Sequence, residues 1–257
     1  MLRRKRLEKQ PIPEHWLHIL QKEVPFYRHL SSDLQQRFLG LVKVFAWEKT
    51  FVGAGGMEIT DEVRVVISAC AVRLVVYLDL SYYDRLTEII VYPYVYTHAE
   101  EEDAILGEAW DWGTVVLSWP AVLEGLAHPK YGPDPAIHEF AHVLDRGNGV
   151  FDGTPKLKAR EDYRPWAQVM SRHFLRLRNG VSAELRVLAS YGGVNEAEFF
   201  AVATESYFER PRQMKEYTPD LYAELQAFYG GDPAAEEQAT QKSESAKGDL
   251  LDQEMGT

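Results

Sequence analysis

The stretch 136-AIHEFAHVLD-145 sets His138 and His142 four residues apart, with Glu139 directly after the first histidine. On an α-helix such positions share a face about 6 Å apart, so two imidazoles can reach one ion. Zinc accepts nitrogen ligands of this kind tetrahedrally, and a catalytic zinc needs a third protein ligand and an open place for water. Glu139 projects beside such an ion rather than onto it, where its carboxylate can take a proton from a zinc-activated water. The competing reading is a polar groove, or two histidines satisfied inside a core. The local context favours the metal. Asp134 is placed to cap a helix that opens with Pro135, and Ile137, Phe140, Ala141 and Leu144 form its apolar side.

The third ligand is less legible. A metzincin would continue the motif as H-E-x-x-H-x-x-G-x-x-H, but Asp145 and Asn148 occupy the required places and exclude that family. Downstream, Glu196, Glu198, Glu205 and Glu209 all fall on or at the edge of one helix. Glu198 and Glu205 share a face yet stand about 10 Å apart along the axis, so they cannot both bind one ion. Periodicity does not choose between them. Asp145 and Asp152 are weaker alternatives, and Asp145 could instead cap the helix end or hold a ligand histidine.

The elements that must position these groups predict an α+β fold, mainly helical with a small sheet. Residues 14–30 read as a short helical piece anchored by Trp16, Leu17, Leu20, Phe26 and Tyr27. A second helix starts at Ser31 or Ser32 and carries Leu34, Phe38, Leu41, Val42 and Phe45 at helical spacing. Gly53, Gly55 and Gly56 read as a plain loop. Thr60, followed by Asp61 and Glu62, starts a helix to about Tyr77 that is apolar nearly all round and therefore buried. Two β-rich runs, Thr87–Tyr92 and Thr114–Trp119, each end at a proline, with an acidic and aromatic loop from His98 to Asp111 between them. Helices are then expected at Pro120–Ala127, Asp134–Asp145, Asp162–Arg178, Asn195–Glu209 and Pro219–Tyr229, with 146-RGNGVFDGTP-155 as a loop.

Composition sets the outer bounds. A chain of 257 residues with 46% hydrophobic and 26% charged residues is an ordinary globular protein. A net charge of −11 argues against a nucleic-acid binder, and no apolar run is long and uninterrupted enough for a membrane span. The basic start, MLRRKRLEKQPIPEHW, has no apolar segment behind its charges. The single cysteine, Cys70, reads as core packing in a reducing compartment, so a cytoplasmic location is expected. Residues 231–257 hold seven acids against Lys242 and Lys247 with no aromatic residue, and read as a disordered acidic tail behind a domain covering 1–230. Within that domain a helical part spans about 13–80 and a catalytic part about 81–230.

Several ordered motifs resemble one family. The segment 138-HEFAHVLDRGNG-149 with 151-FDGTP-155, together with 87-TEIIVYP-93, 113-GTVVLSW-119, 195-NEAEFFAV-202 and 206-SYFERP-211, is similar to the zinc-peptidase family named for Mlc titration factor A. The similarity runs in consistent order from about Pro13 to Tyr229. The stretch 191-YGGVNEAEFF-200 also resembles the active-site region of anthrax lethal factor, a related zinc peptidase.

The resemblance implies a zincin-like metallopeptidase domain that binds Zn2+ through His138, His142 and Glu198. Glu139 is then the general base, and Tyr191 stands over the metal and donates to the oxyanion of the attacked carbonyl. Asn195 would cap the helix that presents Glu198, and Glu205 falls to an outer or structural role. The implied activity is peptide hydrolysis, aminopeptidase-like or limited and regulatory, on a peptide or protein substrate. In a zincin, an edge strand near the metal can pair with an extended peptide, which offers a use for TVVLSW. The family name also implies a second class of function, a binding protein that sequesters a transcriptional repressor, with zinc mainly structural.

Overall fold

The computed structural model describes residues 2–95, 107–110, 113–129 and 133–239, with the backbone alone at Leu2 and 107–110. Most of the expected loop from His98 to Asp111, and the chain from 240 onward, lie outside the described residues. The elements in chain order are α1 (Leu2–Glu8), α2 (Glu14–Glu23), α3 (Ser32–Glu48), β1 (Thr50–Gly53), α4 (Asp61–Val75), β2 (Glu88–Tyr92), β3 (Gly107–Trp110), β4 (Thr114–Ser118), α5 (Trp119–Ala127), α6 (Pro135–Asp145), α7 (Tyr163–Arg178), α8 (Ser182–Leu185), α9 (Glu196–Glu209), α10 (Pro211–Tyr217) and α11 (Pro219–Tyr229). A further helical segment, α12, covers 233–239. The fold is α+β, mainly helical with a small sheet, as expected.

Helix starts follow local chemistry. Ser31 accepts from the Leu34 amide, Thr60 from Val63, Asp134 from Ile137 and Asn195 from Glu198, each satisfying a donor that the first turn leaves open. The expected helix over 14–30 breaks after Glu23, because Pro25 cannot continue it, and the chain proceeds as a 3-10 turn over Pro25–His29. α4 is buried on nearly every face, from Val63 to Val75.

The sheet has the order β1-β2-β4-β3. β1, β2 and β4 run parallel, with Phe51 opposite Ile89 and Ile89 opposite Val115, whereas β3 is antiparallel to β4. Two strands, β1 and β3, fall where the sequence reads as loop. β1 is only TFVG, too short for a periodic pattern, and its pairing with β2 makes it a strand. The suggested edge role of TVVLSW is corrected: β4 lies between β2 and β3, and the edges of the sheet are β1 and β3. Trp119 likewise opens α5 rather than closing the strand.

The amino-terminal basic cluster forms α1, where Arg4 pairs with Glu48 and Asp84. At the other end, the expectation of a disordered tail from 231 fails for its first residues. Pro233 opens α12, Ala234 is buried, and the Tyr222 hydroxyl donates to Asp232 at 2.6 Å while Tyr77 donates to Glu236 at 2.6 Å. Composition averaged over the segment hid this anchor, since two tyrosines from elsewhere in the chain supply the partners. Among the described residues no helix is long and apolar enough to cross a membrane.

Candidate metal centre

Helix α6 is held by its back. Phe140 packs between Phe45 and Tyr83 with ring centroids 5.9 and 5.7 Å away, and the Tyr83 hydroxyl donates to the Ala71 carbonyl at 2.8 Å. Each such aromatic pair adds about 0.5–1.5 kcal/mol beyond burial. Phe140 lies two residues from both His138 and His142, so anchoring its ring turns the two imidazoles to the opposite side, toward α9. α9 is fixed in turn by Phe200 against Trp166 and Phe228, and by Phe199 against Phe174.

Between these helices the two histidines converge with Glu198, the acid that the family resemblance singled out. The Nε2 atoms of His138 and His142 are 3.1 Å apart. Glu198 places Oε2 3.0 Å from His138 Nε2 and Oε1 3.4 Å from His142 Nε2. One donor atom from each of the three residues lies within 4.8 Å of the others. Two ring nitrogens facing each other at that distance beside a carboxylate need a proton or a cation between them. Two imidazole nitrogens and one carboxylate oxygen are also the donors of a His2Glu zinc site, so the residues fit the ion.

The electrostatics agree. Burial acts to lower the His138 imidazole, but hydrogen bonds to Glu198 and Glu205 outweigh it and hold the ring well above the usual histidine range. His142, buried and beside His138, is pushed down. Burial alone would raise the Glu198 carboxyl, yet the two histidines bring it to about 2.

The remaining acids separate by position. Glu205 accepts from or shares a proton with His138 Nδ1 at 2.7 Å, and its other oxygen accepts from the Asp134 amide at 2.9 Å. It therefore sits behind the histidine and turns Nε2 toward the cluster. Glu209 pairs with Arg73, Glu196 is exposed, and Asp152 accepts from Thr154 within its own loop. Glu139 is buried at 5% exposure on α6. Tyr191 stands in a 3-10 turn, Ser190–Gly193, immediately before α9, with its ring centroid 6.2 Å from that of His138 and 56% exposed. Gly192 permits this turn: a Cβ there would lie 3.1 Å from Val202 Cβ and 3.2 Å from Leu177 Cδ2.

One wall of the site was not legible in advance. The Phe151 ring lies 5.1 Å from His142, and the Arg146 guanidinium stacks on that ring at 4.1 Å. The loop is pinned by Asp145, whose Oδ2 accepts from the Gly153 amide at 2.9 Å. Gly153 has φ +76, and a Cβ there would sit 2.3 Å from the Glu196 carbonyl oxygen, so only glycine fits. No pattern in RGNGVFDGTP marks Phe151, because the contact is made by the fold of the loop.

Asp145 carries a pH prediction. It is fully buried, its Oδ1 has no partner among the described residues, and burial pushes its carboxyl up to about 6. The folded chain then keeps a proton that the unfolded chain, titrating near 3.9, loses between about pH 4 and pH 6. Its contribution to stability is greatest below about pH 4 and falls by on the order of 2–3 kcal/mol as pH rises through 6. Burial also pushes the Asp134 carboxyl up, to about 7, so denaturant unfolding should show a steeper slope in the parent than in Asp145→Asn, and equal slopes would remove Asp145 as a source.

The comparisons with known proteins point the same way. The sequence profile of a family described as glucose-regulated metallo-peptidase M90 matches residues 1–230. An uncharacterised protein of Synechocystis is 36% identical over 244 residues, covering 90% of this chain and 89% of its own. Mlc titration factor A of Pectobacterium atrosepticum is 30% identical over 237 residues, covering 86% and 88%, and that of Edwardsiella ictaluri is 28% identical over 225 residues, covering 82% and 85%.

Proposed function

The chain belongs to the glucose-regulated metallo-peptidase M90 family, and on that premise we propose that it is a cytoplasmic zinc-dependent peptidase of zincin-like architecture. His138, His142 and Glu198 would hold the metal. When bound there, zinc supplies Lewis acidity toward the scissile carbonyl and makes a neighbouring water more acidic. Glu139 takes a proton from the attacking water and passes it to the leaving amine. Tyr191 donates its phenol to the carbonyl oxygen as negative charge develops there. Glu205 keeps His138 in the tautomer that presents Nε2. β3, at the sheet edge and packed near α6, offers a main chain with which an extended peptide can pair.

The observation that carries this reading is the convergence of three donor atoms within 4.8 Å between two helices, with Glu139 buried on the same helix as two of them. The single cysteine, buried in α4, supports a reducing compartment. Aminopeptidase-like or limited cleavage is the activity in keeping with the family. The experiment is incubation of the metal-loaded chain with a broad peptide library, read by mass spectrometry. New peptide termini are expected, and a library left whole would overturn the proposal.

Tyr191→Phe should lower kcat on the order of 10²-fold, the usual cost of an oxyanion donor, with KM little changed. Steady-state kinetics on one cleaved peptide checks this, and an unchanged kcat would show that the ring only packs.

The relatives named Mlc titration factor A support a second reading, in which the chain binds and sequesters a transcriptional repressor. Repressor binding that survives Glu139→Gln, in a protein that cleaves no library peptide, would favour that reading.

A further inference from the structure

A buried ionic cluster outside the metal centre joins α7, α8 and α11. The His173 ring of α7 is buried, with Nδ1 2.8 Å from Glu184 Oε1 on α8 and Nε2 2.9 Å from Asp220 Oδ1 on α11. Arg176 of α7 donates from Nε to the same Glu184 oxygen, and Arg172 pairs with Asp220. Glu184 is fully buried. Burial acts to raise its carboxyl, yet its hydrogen bonds, that of Arg176 foremost, hold it below the usual range. With a carboxylate at each ring nitrogen, His173 is fully satisfied only as a double donor.

Such a cluster is a costly way to gain stability. Glu184 Oε2 has no hydrogen-bond partner among the described residues. An apolar pair of similar volume often stabilises a core as well as a buried ion pair, or better. What the ion pair supplies is one fixed arrangement of the helices that carry it.

That arrangement leads to Tyr191. Glu184 stands in α8, a helix of only four residues and too short to hold itself. Its carbonyl accepts from the Val187 and Leu188 amides at 3.0 and 2.8 Å, and the Val187 carbonyl accepts from the Ser206 hydroxyl on α9. The chain then enters the turn Ser190–Gly193, which rests on the end of α7. A Cβ on Gly192 would lie 3.2 Å from Leu177 Cδ2, and one on Gly193 3.4 Å from Arg178 Cα. Leu177 follows His173 by four residues and shares its helix face. The ion pair and the seat of the Tyr191 turn are therefore neighbours on one side of α7.

We propose that His173 and Glu184 are positioning residues for the peptidase reaction: their ion pair fixes α8 against α7 and so holds the Tyr191 phenol beside His138. This role rests on the reading of Tyr191 as the oxyanion donor.

The test combines variants with Tyr191→Phe. Replacing both partners, as His173→Phe with Glu184→Leu, strands no buried ion, because Arg172, Arg176 and Asp220 are exposed and can turn to water. In steady-state kinetics on one cleaved peptide, this paired variant should lower kcat on the order of 10-fold, part of the loss expected for the oxyanion donor itself. KM and zinc content should stay unchanged, and in a Tyr191→Phe background the pair should have no further effect on kcat. Equal losses in the two backgrounds would overturn the proposal, since a merely structural role does not act through Tyr191.

A second readout needs neither metal nor hydrolysis. With labelled tyrosine and histidine rings, the nuclear Overhauser contact between Tyr191 and His138, whose centroids are 6.2 Å apart, should be present in the parent and weakened in the paired variant. Should that pair not fold, Glu184→Gln keeps the side-chain shape without the charge and should show smaller changes of the same sign. A folded variant with the contact at full strength would overturn the proposal. A parent that cleaves no peptide counts against the peptidase reading alone and leaves the ring contact to decide whether His173 and Glu184 place Tyr191.

Discussion

Glu139→Gln is expected to retain one zinc per chain and to lose peptide hydrolysis by on the order of 10²–10⁴-fold, the range that a positioned general base contributes. The amide keeps the size and shape of the side chain but cannot take a proton. Glu139 lies outside the proposed ligand set of His138, His142 and Glu198, so metal content should not change. Its 5% exposure means that the substitution also removes a buried acid, and a folded, metal-loaded but inactive variant separates chemistry from folding. Metal analysis and single-turnover kinetics on the same preparation check both halves. A variant that loses zinc, or one that keeps its rate, contradicts the role assigned to Glu139.

Glu198→Ala should abolish stoichiometric zinc binding, whereas Glu205→Gln should only weaken it. Both glutamates touch His138, but on opposite ring nitrogens: Glu198 lies 3.0 Å from Nε2 and Glu205 lies 2.7 Å from Nδ1. Removing Glu198 takes away one of the three proposed donors. Removing the charge of Glu205 disturbs the orientation of one donor, an effect that typically costs roughly 10–100-fold in affinity or activity. Zinc titration with a competing chelator distinguishes the two. Activity in Glu205→Gln should recover at high zinc, and in Glu198→Ala it should not. The reverse order would exchange the two residues.

These two glutamates also show how far the sequence can be read. His138 and His142 are legible because four-residue spacing on a helix is a local fact, and Asp134 and Pro135 fix where that helix starts. Glu198 is not legible in the same way. α9 carries several acids, and the docking of α9 on α6 decides which one meets the ring nitrogens, so helical periodicity left Glu198 and Glu205 open and family resemblance singled out Glu198. The structure places Glu198 and both histidines together and puts Glu205 behind them. The fold divides similarly. Long periodic helices and the two β-branched strands could be read directly, with small shifts at their ends. β1 and β3 could not, since four-residue strands owe their conformation to neighbours. α12 was hidden by a polar composition, although Asp232 and Ala234 find partners in Tyr222. Phe151 reaches His142 only through a loop shaped by Asp145 and Gly153.

The most direct test of the central claim is the peptidase activity of metal-stripped protein as zinc is returned to it. Activity should be absent at the start, rise in proportion to added zinc and level off at one equivalent per chain, as one site built from His138, His142 and Glu198 requires. Hydrolysis that is indifferent to zinc, or its absence at full occupancy, would contradict the account.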